Sequence, residues 1–232
     1  MNNRNSLACR ILPSALLFAC GFALLPATPA VADDGSWIVR LRVINVAPDE
    51  DSGTVSAGGA ALPGSSVSVD DATTLELDFT YMWSRNWGAE LILATTDHNV
   101  TAEGSIAGLG EALDVSVLPP TLLLQYHFLP DAKIRPYVGL GVNFTLFYDE
   151  EAKGGFADAV GGVSDVDLDE SFGLAAQVGV DFEVADNWFL NLDAKYLDIE
   201  TTATIDTGAL GRLEVDVEIT PFVFGFGVGR RF

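Results

Sequence analysis

Cysteine is nearly absent: the chain has two, Cys9 and Cys20, both close to its start. If that segment is removed, the remainder can form no disulfide, perform no thiolate chemistry and offer no cysteine ligand to a metal. Basic residues are scarce, 12 against 33 acidic ones, for a formal net charge of −21. So acidic a chain repels nucleic acid, whose binding depends on lysine and arginine neutralising phosphates. Histidine occurs only at His98 and His127. After residue 32 no apolar run is long enough for a spanning helix, which needs about 20 residues.

The amino terminus reads as a targeting segment rather than as part of a fold. Arg4 and Arg10 give a basic start, Ile11 to Leu25 a mostly apolar core, and Ala30-Val31-Ala32 a small-x-small cleavage site. Residues 1–32 are therefore expected to be a cleaved signal peptide, with residues 33–232 as one barrel domain. A retained helix is the weaker reading, because the apolar stretch is short and broken by Pro13. Lipoprotein processing at Cys20 is disfavoured by the bulky Phe18. Cleavage leaves 200 residues, enough for a single domain, and loss of the two arginines takes the net charge to −23.

What is present looks contradictory: hydrophobic residues make up 49% and mean hydropathy is +0.29, beside that large charge. A barrel in lipid reconciles them, with an apolar outer wall and charge in lumen and loops. In Thr74 to Trp83, Leu75, Leu77, Phe79, Tyr81 and Trp83 share one face. Thr74, Glu76, Asp78 and Thr80 share the other. A helix would scatter these charges around its surface, whereas a strand sorts them by side.

Seven more segments alternate similarly: Trp37 to Val46, Trp87 to Ala94, Leu118 to Phe128, Pro136 to Phe147, Ser171 to Phe182, Trp188 to Tyr196 and Thr220 to Phe232. The pattern predicts an all-β fold, an eight-stranded antiparallel up-and-down transmembrane β-barrel. Connectors support this, since short turns at 84–86, 129–135 and 183–187 alternate with long Gly- and Asp-rich segments at 47–71, 95–117, 149–170 and 201–212. These are expected to be periplasmic turns and external loops. Trp83, Trp87, Tyr126, Phe128, Tyr137, Phe182, Trp188 and Phe232 are expected to form the periplasmic aromatic girdle.

One segment breaks the pattern. Glu214, Asp216 and Glu218 share the parity of the Phe222 series, so polar residues stand where apolar ones follow. Either a bulge near Thr220-Pro221 resets the register, or the strand rises above the membrane there.

With these residues in view, the chain resembles the OmpW family of small outer-membrane barrels. The resemblance rests on Asp78-Phe79-Thr80-Tyr81-Met82, Leu118-Pro119-Pro120-Thr121-Leu122, Arg135-Pro136-Tyr137-Val138-Gly139, Gln177-Val178-Gly179-Val180-Asp181, Tyr196-Leu197-Asp198-Ile199 and Arg231-Phe232. It implies an eight-stranded barrel in the bacterial outer membrane with a narrow, largely apolar channel for passive uptake of small hydrophobic or poorly water-soluble molecules. The family's apolar lumen is matched at Ile92, but Lys195 stands where some members carry a lumen tryptophan. Arg230 replaces an aromatic in the terminal alternation, while the final Phe232 is kept.

The side chains expected to face inward are Arg40, Arg42, Glu76, Asp78, Glu90, Gln125, His127, Asn143, Gln177, Asp181, Asn191, Asp193 and Lys195. In so narrow a barrel both signs of charge should interlock and brace the wall. Ile92, Leu123 and Lys195 are the candidate ligand-binding residues of an apolar funnel over this polar base. Pro119 and Pro120 remove two ladder donors where the fourth strand begins, which makes them candidates for a lateral opening into the bilayer.

Catalysis is not expected: His98 falls in a long connector and His127 at the periplasmic end of its strand. Asp165 to Glu170 lacks the glycine a calcium loop needs, so no metal site and no cofactor is assigned. Expected partners are outer-membrane lipid and lipopolysaccharide, small hydrophobic solutes, and the barrel-assembly machinery through the terminal strand ending in Phe232, with no nucleic acid. Two rivals are a structural or adhesive barrel without transport and a soluble lipocalin-like carrier, whose apolar residues would face inward.

Overall fold

Each alternating segment forms a strand in a computed structural model that describes residues 35–232. The signal-peptide expectation for residues 1–32 lies outside the described residues. The strands are β1 (Ser36–Ala47), β2 (Ala72–Met82), β3 (Trp87–Ala94), β4 (Thr121–His127), β5 (Ile134–Ala152), β6 (Ser171–Ala185), β7 (Trp188–Leu197) and β8 (Phe222–Arg231). Each pairs antiparallel with the next, and β1 closes the ring on β8 from Ile38 opposite Arg231 to Ala47 opposite Phe222. Closure matters physically, because an open edge would leave backbone donors and acceptors unpaired in hydrocarbon.

The apolar faces point outward. Phe172 and Leu140 are 71% and 70% exposed, and Leu174, Val178, Phe224 and Phe226 join them in a continuous greasy wall. Such a wall is stable against lipid rather than water, and it inverts the facing a lipocalin-like carrier requires. All thirteen polar side chains assigned to the lumen are buried there.

The terminal glycines let this interior fill. A methyl group at Gly227 would fall 2.1 Å from the Leu41 carbonyl oxygen, and one at Gly229 would fall 2.2 Å from the Phe189 ring. Strand β8 therefore supplies a bare strip of wall on which Arg40, Arg42 and Phe189 lie.

Three sequence expectations are corrected. Much of the long connectors is strand rather than loop: Thr96–Gly104 pairs with Glu111–Leu118, and Ile199–Thr207 with Gly211–Ile219. They carry the barrel wall beyond the membrane, where apolar side chains turn inward around Leu113, Val115, Phe156, Val160, Val215 and Val217.

No bulge occurs at Thr220-Pro221. Tyr196 opposite Phe222 and Ile199 opposite Ile219 keep one register, as do Ala47 opposite Phe222 and Glu50 opposite Ile219. The even-numbered side chains face outward on both sides of the break. Phenylalanine gives way to glutamate because the outward face leaves lipid for water, so the alternative expectation, a strand rising above the membrane, holds.

Tyr137 is not part of the girdle. It is fully buried in the lumen, where it stacks on His127 at 5.1 Å and accepts a hydrogen bond from Asn191 Nδ2 at 2.9 Å. Trp83, Trp87, Phe128 and Phe232 are exposed as a girdle requires.

Candidate functional site

The lumen has two levels with opposite chemistry. On the periplasmic level, Arg40 on β1 reaches Glu90 on β3 at 2.8 Å and Asp181 on β6 at 3.0 Å. Arg42, two residues on, meets Asp78 on β2 at 2.8 Å, Glu90 at 3.2 Å, and Asp193 on β7. Lys195 on β7 crosses to Glu76 on β2 at 2.6 Å and holds Asp193 at 2.9 Å. Gln125 on β4 donates to Glu90 at 2.6 Å and to Gln177 at 2.7 Å. The Arg40 guanidinium also lies 5.0 Å from the Tyr137 ring and 5.4 Å from the Phe189 ring.

This network ties strands on all sides of the barrel and fills its axis. Three cations, Arg40, Arg42 and Lys195, face five carboxyl groups, Glu76, Asp78, Glu90, Asp181 and Asp193. Removing either kind of partner would strand a buried charge, which makes the network an interlocked plug.

Above the plug the lumen turns apolar. Ile44, Ile92, Ala94, Leu123, Ala175, Leu197, Ile199 and Val223 form one cluster. Over them opens a cavity of about 870 Å³, counted to its mouth, lined by Ile92, Leu197, Phe147, Pro119 and Thr121 among others. Among the described residues, Glu76 and Lys195 are its only charged lining residues, at the level of the plug. A second apolar cavity of about 910 Å³ follows outside the membrane and shares Val69, Val100, Leu168 and Ile219 with the first.

The candidate residues are thus distributed as follows. Ile92 and Lys195 line the cavity, and Leu123 packs in the cluster beneath it without lining it. Pro119 lines it and Pro120 does not.

The wall beside those prolines is incompletely paired. β3 and β4 pair up to Ile92 opposite Thr121, and the ladder resumes in the same register at Thr96 opposite Val117. In between, among the described residues, no ladder joins 93–95 to 118–120. Proline has no N–H to donate. On the other flank pairing continues, with Phe144 N donating to the Pro120 carbonyl at 3.0 Å. At the outer end of the unpaired stretch the hydroxyls of Thr95 and Tyr148 hydrogen-bond to each other.

A model of the OmpW family matches residues 33–232. The chain belongs to the OmpW family. It is 40% identical to outer membrane protein W of Vibrio cholerae, over 92% of this chain and 98% of that one. It is 31% identical to outer membrane protein AlkL of Ectopseudomonas oleovorans, over 89% and 86%, and the AlkL structure in DMPC bilayers superposes with a TM-score of 0.68. The crystal structure of OprG from Pseudomonas aeruginosa superposes with a TM-score of 0.81 at 35% identity, covering 86% of this chain and 97% of that one. This OmpW-family chain is accordingly an outer-membrane barrel, like these relatives.

Several residues escaped the sequence reading. His98 is not in a solvated loop: it is buried on the strand Thr96–Gly104 and lines the cavity. Its Nδ1 is 2.7 Å from the Asp70 carbonyl oxygen and its Nε2 is 2.9 Å from Thr96 Oγ1, so neither nitrogen meets a serine or a carboxylate. Alternation of Thr96, His98 and Val100 was the available signal. Asp165 lies in the strand Val163–Leu168, within the stretch 149–170 expected to be a loop. The carboxylates of Asp198, Glu200 and Glu218 gather within 4.8 Å of one another at the surface, a grouping across two strands that spacing in the sequence does not reveal.

Proposed function

We propose that this OmpW-family barrel is a conduit for small hydrophobic molecules, which enter the apolar cavity from outside and leave sideways into the bilayer between β3 and β4. The observation that carries this reading is the unpaired stretch of wall beside Pro119 and Pro120, opening next to a cavity whose lining is almost wholly apolar. An axial route would take a greasy solute through the ion network, where it would displace paired charges and gain nothing. A lateral route avoids that cost, because the cavity wall gives directly onto lipid. Ile92 shapes the apolar wall, Leu123 packs in the cluster beneath it, and Lys195 marks the floor.

A conduit also suits His98, which bonds a backbone carbonyl and the Thr96 hydroxyl and has no carboxylate among its hydrogen-bond partners to orient it as a base. Residues 1–32 act, on this reading, as the cleaved export signal, and the strand ending at Phe232 is the one presented to the assembly machinery.

The test is flux of an apolar dye into lipid vesicles containing the refolded barrel. The double variant Pro119→Ala/Pro120→Val restores two ladder donors and is expected to slow dye transfer several-fold while leaving the fold intact. Unchanged transfer would remove the lateral exit. Flux no greater than in protein-free vesicles would instead favour a structural barrel without transport.

A further inference from the structure

Two charged residues, Glu76 and Lys195, line the cavity at its floor, and both have hydrogen-bonding capacity left over. Lys195 Nζ carries three N–H donors and spends two, on Glu76 Oε1 at 2.6 Å and Asp193 Oδ2 at 2.9 Å. Glu76 concentrates its contacts on one oxygen, since Oε1 also lies 3.5 Å from Arg42 Nε. Its Oε2 takes no hydrogen bond from the described residues. Both residues are buried, Glu76 2% and Lys195 4% exposed, and both line the cavity. One unspent donor and one unspent acceptor therefore sit side by side under apolar walls.

We infer that the cavity selects apolar molecules that end in a neutral hydroxyl, with the hydroxyl donating to Glu76 Oε2 and accepting from Lys195 Nζ. A hydroxyl is the simplest group that does both at once. Its alkyl chain then runs up past Ile44, Ile92 and Leu197. A plain hydrocarbon leaves both polar atoms desolvated without a partner, the situation by which buried polar sites reject analogues lacking a hydroxyl. A carboxylate can accept from Lys195 but has nothing to donate to Glu76, and its charge would stand directly beside the Glu76 carboxyl group. This deepens the conduit reading and rests on it only for the biological role of the cavity, not for the binding itself.

The experiment is displacement of an apolar naphthylamine dye from the folded barrel in phosphatidylcholine nanodiscs, with empty nanodiscs subtracted. Decanol is expected to displace the dye at roughly tenfold lower concentration than decane or decanoate, the ratio that one added hydrogen-bond pair gives. Methyl decyl ether, which accepts but cannot donate, is expected to lose most of that advantage on the unmodified protein. Glu76→Gln removes the charge and is expected to bring decanoate close to decanol, with a heat-shifted gel band reporting that the variant is folded. Equal displacement by decanol and decane, by decanol and decanoate, or by decanol and its ether overturns the inference, as does failure of all of them to displace the dye. Preference for decanol without vesicle flux would instead overturn the conduit reading and leave this one standing.

Discussion

Thr95, at the outer end of the unpaired stretch 93–95, and Tyr148, on the strand paired to residues 116–118, hydrogen-bond hydroxyl to hydroxyl. The contact clasps the outer rim of the window where backbone pairing lapses. Tyr148→Phe removes the clasp and keeps the ring. Transfer of an apolar dye into vesicles is expected to rise, while stability falls by no more than about 1 kcal/mol, the net worth of one hydrogen bond. Slower transfer would mean that the hydroxyl pair holds the window open instead.

Arg42 is the member of the plug with most to lose. It faces Asp78, Glu90 and Asp193 together, and all three are buried. Arg42→Met should destabilise the barrel by about 3–5 kcal/mol, because Asp78 is left without its cation while Glu90 and Asp193 each lose one of two. Urea titration of the folded band in detergent measures this. A variant as stable as the parent would show that the network contributes only filling.

Gly227 tests the close packing of β8 on β1. A Cβ there would meet the Leu41 carbonyl oxygen at 2.1 Å and the Arg42 Cα at 2.7 Å, and backbone cannot yield as a side-chain tip can. Gly227→Ala is expected to abolish the heat-modifiable folded band on gels, whereas Phe226→Leu on the lipid face of the same strand should keep it.

Outside the membrane, Asp206 accepts a forked pair of hydrogen bonds from Arg212, at 3.0 and 3.2 Å. That bonding holds the Asp206 carboxyl below the usual carboxylate range. A lowered value means the pair helps the hairpin above the ordinary aspartate pKa of about 3.9. The help is lost as pH falls through the lower folded value. Both side chains are exposed, so added salt should weaken the effect. NMR titration should find the Asp206 carboxyl protonating below the ordinary value, and Arg212→Ala should return it there. An unmoved midpoint in the variant would dissociate the shift from Arg212.

Much of this was legible because it is local. Side-chain parity sorts Glu76 from Leu77 and Asp193 from Leu192 without knowledge of any partner strand. Tyr137 shows how a general tendency can mislead: aromatics gather at membrane interfaces, but this one shares its parity with Gly139 and Gly141, and parity decided. His98 was read as loop because glycine and aspartate nearby outweighed a short alternation. Lys195 was legible as inward-facing, yet its unspent donor was not, since that depends on where Glu76 and Asp193 place their oxygens.

The sequence by itself determined the number of membrane-crossing strands, their lipid-facing sides and the alternation of short turns with long excursions, because period-two patterning records one residue's surroundings at a time. Only the tertiary structure decided which charges pair, since Arg40 meets Asp181 across 141 residues and Lys195 meets Glu76 across 119. It also decided that the register runs unbroken past Pro221, and that pairing lapses on one side of Pro119 and Pro120 but not the other. Register and pairing belong to two strands at once, and neither strand's own residues encode the other's position.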